Sequence, residues 1–142
     1  MSRVFVDSNI FVYASGKAHP LREPARAAMH AIGRGAVEGV TSVEVLQELL
    51  HRCLRRPDRG QALRAFDMFR RLLRSGSVLP VDDTTIARAR ELADAWPALQ
   101  ARDLVHLATM ERHRIDEILS ADRHFDGIPG IRRIDPRSIT GS

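Results

Sequence analysis

A short run of branched and aromatic residues near the start of the chain, Val4-Phe5-Val6, breaks off into Asp7-Ser8-Asn9. Of all its features, this one most constrains the fold. Three apolar residues in a row, with no polar alternation, suit a strand buried on both faces, as in the middle of a parallel sheet covered by helices. The small polar residues that follow favour a turn or a helix N-cap. The stretch therefore predicts a central strand with a carboxylate, Asp7, at its carboxyl end. Open α/β sheets gather ligand chemistry at that end of their strands. Taken alone, Asp7 reads first as a helix cap.

The rest of the chain alternates in the same sense. Leu21 to Ile32 predicts a helix with Pro24 in its first turn, and Val37 to Val40 a short strand after Gly33 and Gly35. Thr41, with Glu44 three residues on, predicts a helix start with a capping box. Leu46, Leu49, Leu50, Cys53 and Leu54 then form an apolar face. Asp58 is placed to cap a further helix carrying Leu63, Phe66, Phe69, Leu72 and Leu73. Val78 to Val81 predicts a strand, and Pro80 puts it at a sheet edge. Asp82-Asp83-Thr84 opens a helix that runs to Trp96, and residues 102–113 form another. Glu117 to Ser120 and Ile131 to Ile134 are the last strands. Strands alternating with helices imply βαβ units and a mostly parallel sheet. Without repeats, linkers or low-complexity tracts, the 142 residues are expected to form one domain.

Three more acids deserve weight beside Asp7. Asp122 follows the strand at 117–120, repeating the order of strand and then carboxylate. Asp103 opens the helix at 102–113, where the positive end of the helix dipole favours an anion. Glu48 lies about 200° around its helix from Leu46, so it faces solvent or a cleft. Each alone is a cap or a surface charge.

Charge and composition narrow the classes. Lys and Arg number 22 against 18 Asp and Glu, and Lys17 is the only lysine, so the positive charge is nearly all guanidinium. Guanidinium forks match phosphate bidentately, which favours a polyanionic partner. Arg52, Arg55, Arg56, Arg59, Arg64, Arg70, Arg71 and Arg74 cluster on two consecutive helices, as a solvated face or as an RNA-docking surface. Cys53 is the only cysteine, which excludes internal disulfides, and no His/Cys spacing matches a structural zinc site. No apolar run approaches the ~20 residues of a membrane span. The start carries no signal-peptide pattern, so a cytoplasmic location is expected.

In order, the pieces Val6-Asp7-Ser8-Asn9, Thr41-Ser42 with Glu48, Asp103-Leu104-Val105-His106-Leu107-Ala108, Leu119-Ser120-Ala121-Asp122 and Ile134-Asp135-Pro136 span nearly the whole chain. Their set resembles the PIN-domain ribonucleases and, within that family, the VapC-type toxins of bacterial toxin–antitoxin pairs. The resemblance implies a three-layer α/β fold around a five-stranded sheet of order 3-2-1-4-5, which brings Asp7 and Asp122 side by side. It also implies that Asp7, Glu48, Asp103 and Asp122 bind one or two Mg²⁺ or Mn²⁺ ions. Ser8, Asn9 and Ser120 would support those acids or orient the attacking water. Hard oxygen ligands suit Mg²⁺, and carboxylates crowded without a cation should repel one another and raise some of their pKa values.

The implied substrate is cellular RNA, tRNA or another structured RNA, and the implied partners are a cognate antitoxin and a second copy of the chain. Arg102, directly before Asp103, departs from the small or polar residue frequent there; it would contact phosphate, shield the acids or face solvent. His106 reads as a buried, hydrogen-bonded histidine or as a neighbour of the acids. A haloacid-dehalogenase-type phosphatase needs a second Asp where Asn9 stands, and a receiver domain needs a late lysine where none exists. The remaining alternatives are a PIN-domain nuclease of RNA processing without an antitoxin and an RNA-binding module that does not cut.

Overall fold

The computed structural model describes residues 3–139. Its elements run β1 (Arg3–Val6), α1 (Ser8–Ser15), α2 (Arg22–Gly33), β2 (Glu38–Ser42), α3 (Val43–Leu54), α4 (Arg59–Leu72), β3 (Val78–Leu79), α5 (Asp83–Ala95), α6 (Ala101–Arg112), β4 (Glu117–Leu119) and β5 (Arg132–Ile134). Short 3₁₀ turns follow at Arg123–Phe125 and Pro136–Ser138. The five strands form one sheet of order β3-β2-β1-β4-β5, and every pairing is parallel. The expected fold is the one observed. The strand order reverses direction at β1, whose neighbours β2 and β4 come from opposite ends of the chain. Ligand sites in open α/β sheets form at such a switch point.

Burial explains why β1 is central. Phe5 and Val6 are fully buried, as are their β4 counterparts Ile118 and Leu119, which pair with them in register. A strand covered on both faces gains nothing from alternation, so its sequence is a continuous apolar run. Ile10, Leu49, Phe69, Met110 and Phe125 pack into the same core. A smaller cluster of Ala89, Leu104, Val105 and Ala108 joins α5 to α6. β3 is the edge strand as expected, but it ends at Leu79, so Pro80 lies just beyond it rather than within it.

Several local expectations are corrected. Thr41 does not begin a helix. It belongs to β2, where its hydroxyl donates to the Val6 carbonyl at 3.0 Å and so ties the ends of β1 and β2. The α3 cap is Ser42, whose Oγ accepts from Val45 N–H, with no capping box through Glu44. The α3 face in the core is Val45, Leu49 and Cys53, whereas Leu50 and Leu54 remain 39% and 40% exposed. Asp58 holds the N-cap position of α4 without a capping bond, because its carboxylate is bound by Arg56.

Candidate active site

The site begins where β1 ends. Asp7 N–H still donates to the Leu119 carbonyl at 3.0 Å, so the residue sits on the end of the ladder that joins β1 to β4. The residue is 6% exposed and is the N-cap of α1: Oδ1 accepts from Ser8 N–H at 2.7 Å. The cap reading of Asp7 is thus observed, and its second oxygen is left for other partners. Oδ2 accepts from the Ser120 hydroxyl at 2.6 Å and from Asn9 Nδ2 at 3.3 Å.

Ser120 is the hub. It is fully buried just past β4, and besides donating to Asp7 it accepts from Asn9 Nδ2 and from Asp122 N–H, each at 3.0 Å. Asn9 closes the ring by accepting Ala121 N–H on Oδ1 at 3.2 Å. Adjacent parallel strands thus place their trailing residues within hydrogen-bond reach, and each polar atom finds a partner, as burial demands. Ser8 contributes its backbone N–H.

Asp103 enters from α6. It is 5% exposed, at the start of a buried stretch running from Asp103 to Met110, and Oδ2 accepts from Gln100 N–H at 3.2 Å. Burial pushes its carboxyl pKa up against the lowering effect of that hydrogen bond, and the charges of Asp122 and Asp7 push the same way. This is the mutual repulsion expected of crowded acids. Asp122 caps the following 3₁₀ turn, with Oδ1 accepting from His124 N–H at 2.9 Å.

Glu48, on α3, is held by two arginines, and no contact among the described residues joins it to the other three acids. Arg102 Nη1 lies 3.4 Å and Arg52 Nε 3.7 Å from Glu48 Oε1. Arg102 is half exposed and pairs with one of the acids, Glu48. Three acids, Asp7, Asp103 and Asp122, thus share one electrostatic neighbourhood, and Glu48 is reached through Arg102.

Two further residues lie close to these acids: His106, which the sequence raised, and Arg133, which it did not. His106 is 1% exposed, with Nε2 3.6 Å from Asp7 Oδ1 and its ring beside Phe5; Nδ1 has no hydrogen-bond partner among the described residues. Burial and proximity to the acids, posed as alternatives, hold together. Arg133 on β5 donates to the Ser120 carbonyl at 2.9 Å and is anchored by Asp126, so it braces the loop that carries Ser120. Nothing in an arginine at the middle of a short strand signals that role.

The donor set is all oxygen. Among the described residues, no three acidic, histidine or cysteine side chains form a ready-made cation cage. Carboxylate oxygens are the donor type that Mg²⁺ takes, with its own waters and a substrate phosphate completing the shell. Among the described residues, no helix is long and apolar enough to cross a membrane.

Comparison with known proteins agrees. The PIN domain model matches residues 4–131. The chain is 37% identical to ribonuclease VapC13 of Mycobacterium tuberculosis over 131 residues, which is 92% of this chain and 98% of that protein. Ribonuclease VapC23 of the same species is 37% identical over 84% of this chain and 92% of its own length. Among solved structures, VapBC2 of Rickettsia felis bound to promoter DNA superposes with a TM-score of 0.72 at 17% identity, covering 93% of this chain and 97% of that one. The sarcin–ricin-loop-cleaving toxin VapC20 of M. tuberculosis gives 0.66 at 19% identity, over 84% of this chain and 90% of that one.

Proposed function

Because the chain belongs to the PIN-domain family and, within it, to the VapC ribonucleases, we propose that it is a metal-dependent endoribonuclease that hydrolyses phosphodiester bonds in cellular RNA as the toxin of a toxin–antitoxin pair. The observation that carries this reading is the hydrogen-bonded junction of Asp7, Asn9, Ser120 and Asp122 beside the buried, destabilised carboxyl of Asp103. Structural caps alone do not explain it, since a protein loses stability by burying acids that repel one another. Such a cost is common at functional sites.

Asp7, Asp103 and Asp122 would hold Mg²⁺ or Mn²⁺, with Glu48 as the fourth acid of the set. When bound, the cation supplies a water of lowered pKa and offsets charge developing on the phosphoryl group. The protein's own contribution is orientation. Ser120, Asn9 and the Ser8 N–H fix the Asp7 carboxylate on both oxygens, so no reorganisation is needed when substrate arrives. Arg102 and Arg52 place positive charge beside Glu48, where an RNA phosphate would otherwise meet only acids.

A partner surface supports the toxin part of the reading. A groove of about 630 Å³ runs between α1, α2 and α4, lined by Phe11, Ala14, Met29, Ala62, Met68 and Leu72 among others. An amphipathic antitoxin segment would cover it. The exposed stripe Val43, Leu50 and Leu54 on α3 would serve a second copy of the chain.

Purified protein incubated with structured RNAs, tRNA included, should cut only when Mg²⁺ or Mn²⁺ is present and not with chelator. Asp7→Asn should not cut. Cleavage in chelator, or by Asp7→Asn at the wild-type rate, contradicts the proposal. Expressed alone in bacteria, the protein should arrest growth, and a small protein encoded beside it should restore growth. Unimpaired growth with soluble, active protein would assign it to RNA processing instead.

A further inference from the structure

A second groove, of about 840 Å³, lies between the end of α1 with its following loop and the outer side of α3, and Glu48 is part of its wall. We propose that this groove binds the single-stranded RNA segment flanking the scissile phosphate, with one base stacked on the Tyr13–His19 pair. The proposal rests on the ribonuclease reading and names the form in which the substrate is presented.

Three observations carry it. Tyr13 and His19 stack with ring centroids 4.5 Å apart and planes 34° from parallel, and both line the groove. His19 Nδ1 accepts from Leu21 N–H at 3.0 Å, so the imidazole is fixed in orientation and the pair forms a set platform. The wall is also basic: Lys17, Arg52 and Arg55 are exposed on it, and among the described residues that line it Glu48 is the one acid. Arg56 plays a structural part, bound to Asp58 and to the Ser15 carbonyl. Arg55 and Lys17 form no ion pair among the described residues. Finally, the groove lies near the acids: Glu48 on its wall contacts Arg102, the residue before Asp103 on α6, and α1 leads from Asp7 to Tyr13 in less than two turns. An aromatic platform beside a cationic track is how single strands are held, because every base has a face to stack and every nucleotide a phosphate. A duplex keeps its bases stacked inside and would leave the platform unused. An acidic peptide would use the cations but not the rings.

The test uses full-length Asp103→Asn protein, so that binding is measured without cutting, and a single-stranded oligoribonucleotide containing 2-aminopurine. Tyr13→Leu should weaken binding about tenfold, within the range one stacked base supplies, and abolish quenching of the fluorophore, while Tyr13→Phe keeps both. Arg55→Gln should lower the slope of log affinity against log salt by about 0.7, the loss of one single-strand phosphate contact. Manganese affinity of the corresponding variants with Asp103 intact should match wild type. Melting curves confirm that each variant is folded. Equal affinity and quenching in Tyr13→Leu, with wild-type protein still cutting RNA, overturn the groove and leave the ribonuclease standing. Displacement of the oligonucleotide by polyglutamate equally well from parent and Tyr13→Leu likewise overturns it in favour of an acidic protein ligand. If wild-type protein neither binds nor cuts any RNA, both readings fall.

Discussion

Ser120 Oγ donates to Asp7 Oδ2 across 2.6 Å, bridging the ends of two strands whose residues lie 113 positions apart in the chain. The same oxygen accepts from Asn9 and from Asp122 N–H, so one hydroxyl sets the geometry of two acids. Ser120→Ala leaves these groups without their partner in a buried place. Cleavage and manganese affinity should each drop about 10- to 100-fold, the usual effect of removing a group that orients a metal ligand. Calorimetry with Mn²⁺ and a cleavage assay would check both. A fall in cleavage with unchanged manganese affinity would remove Ser120 from the role of orienting the acids.

Arg102→Gln should have the opposite sign for the cation. Its guanidinium occupies one side of Glu48, and partly exposed ion pairs of this kind contribute about 0–1 kcal/mol. Losing it should tighten manganese binding by up to about fivefold while weakening RNA binding. Weaker manganese binding would mean that Arg102 organises the site rather than shielding it.

Ser42→Ala removes the α3 cap, in which a fully buried Oγ accepts from Val45 N–H at 3.2 Å. A lost N-cap costs about 1 kcal/mol, which for a chain of this size lowers the melting temperature by about 2–8 °C. Since α3 also carries Glu48, calorimetry should show whether the cation site survives; an unchanged melting temperature would deny the cap.

Acid stability should depend on Asp82. Its carboxyl is held below its ordinary value by Thr85 N–H, with further lowering from the Thr85 hydroxyl and Arg112. A depressed folded-state pKa means that the unfolded chain binds the proton first. The stabilisation is therefore complete above the ordinary carboxylate range and is lost as pH falls through the lowered value. The melting-temperature gap between wild type and Asp82→Ala should be widest near neutral pH and shrink below about pH 4. A gap independent of pH would mean that the charge has no part in the cap.

Much of this architecture is legible in the sequence because burial leaves a simple trace. Val4-Phe5-Val6 announces a strand covered on both faces, and Asp7 and Asp122 each follow a strand that ends at the switch point. The resemblance to the PIN-domain family supplies the strand order. What stays hidden is side-chain choice among equivalent neighbours. On α3, Val45-Leu49-Cys53 and Leu46-Leu50-Leu54 are two adjacent apolar stripes of the same period, and only packing against α1 and α4 selects the first. Thr41 and Ser42 are both hydroxyl residues before a helix, but the Thr41 hydroxyl is spent on the Val6 carbonyl. The contact of Arg102 with Glu48 spans 54 residues, and no local pattern encodes it.

Asp103→Asn tests the central claim most directly. Asn keeps the size and can still accept from Gln100 N–H, but it removes a charge that burial, Asp122 and Asp7 all disfavour. If the carboxylate is retained for catalysis at the expense of stability, the metal-free variant should melt at or above the wild-type temperature and show no RNA cleavage in Mg²⁺ or Mn²⁺. A variant that melts lower and still cuts RNA at the wild-type rate would contradict the assignment of these acids as the catalytic centre.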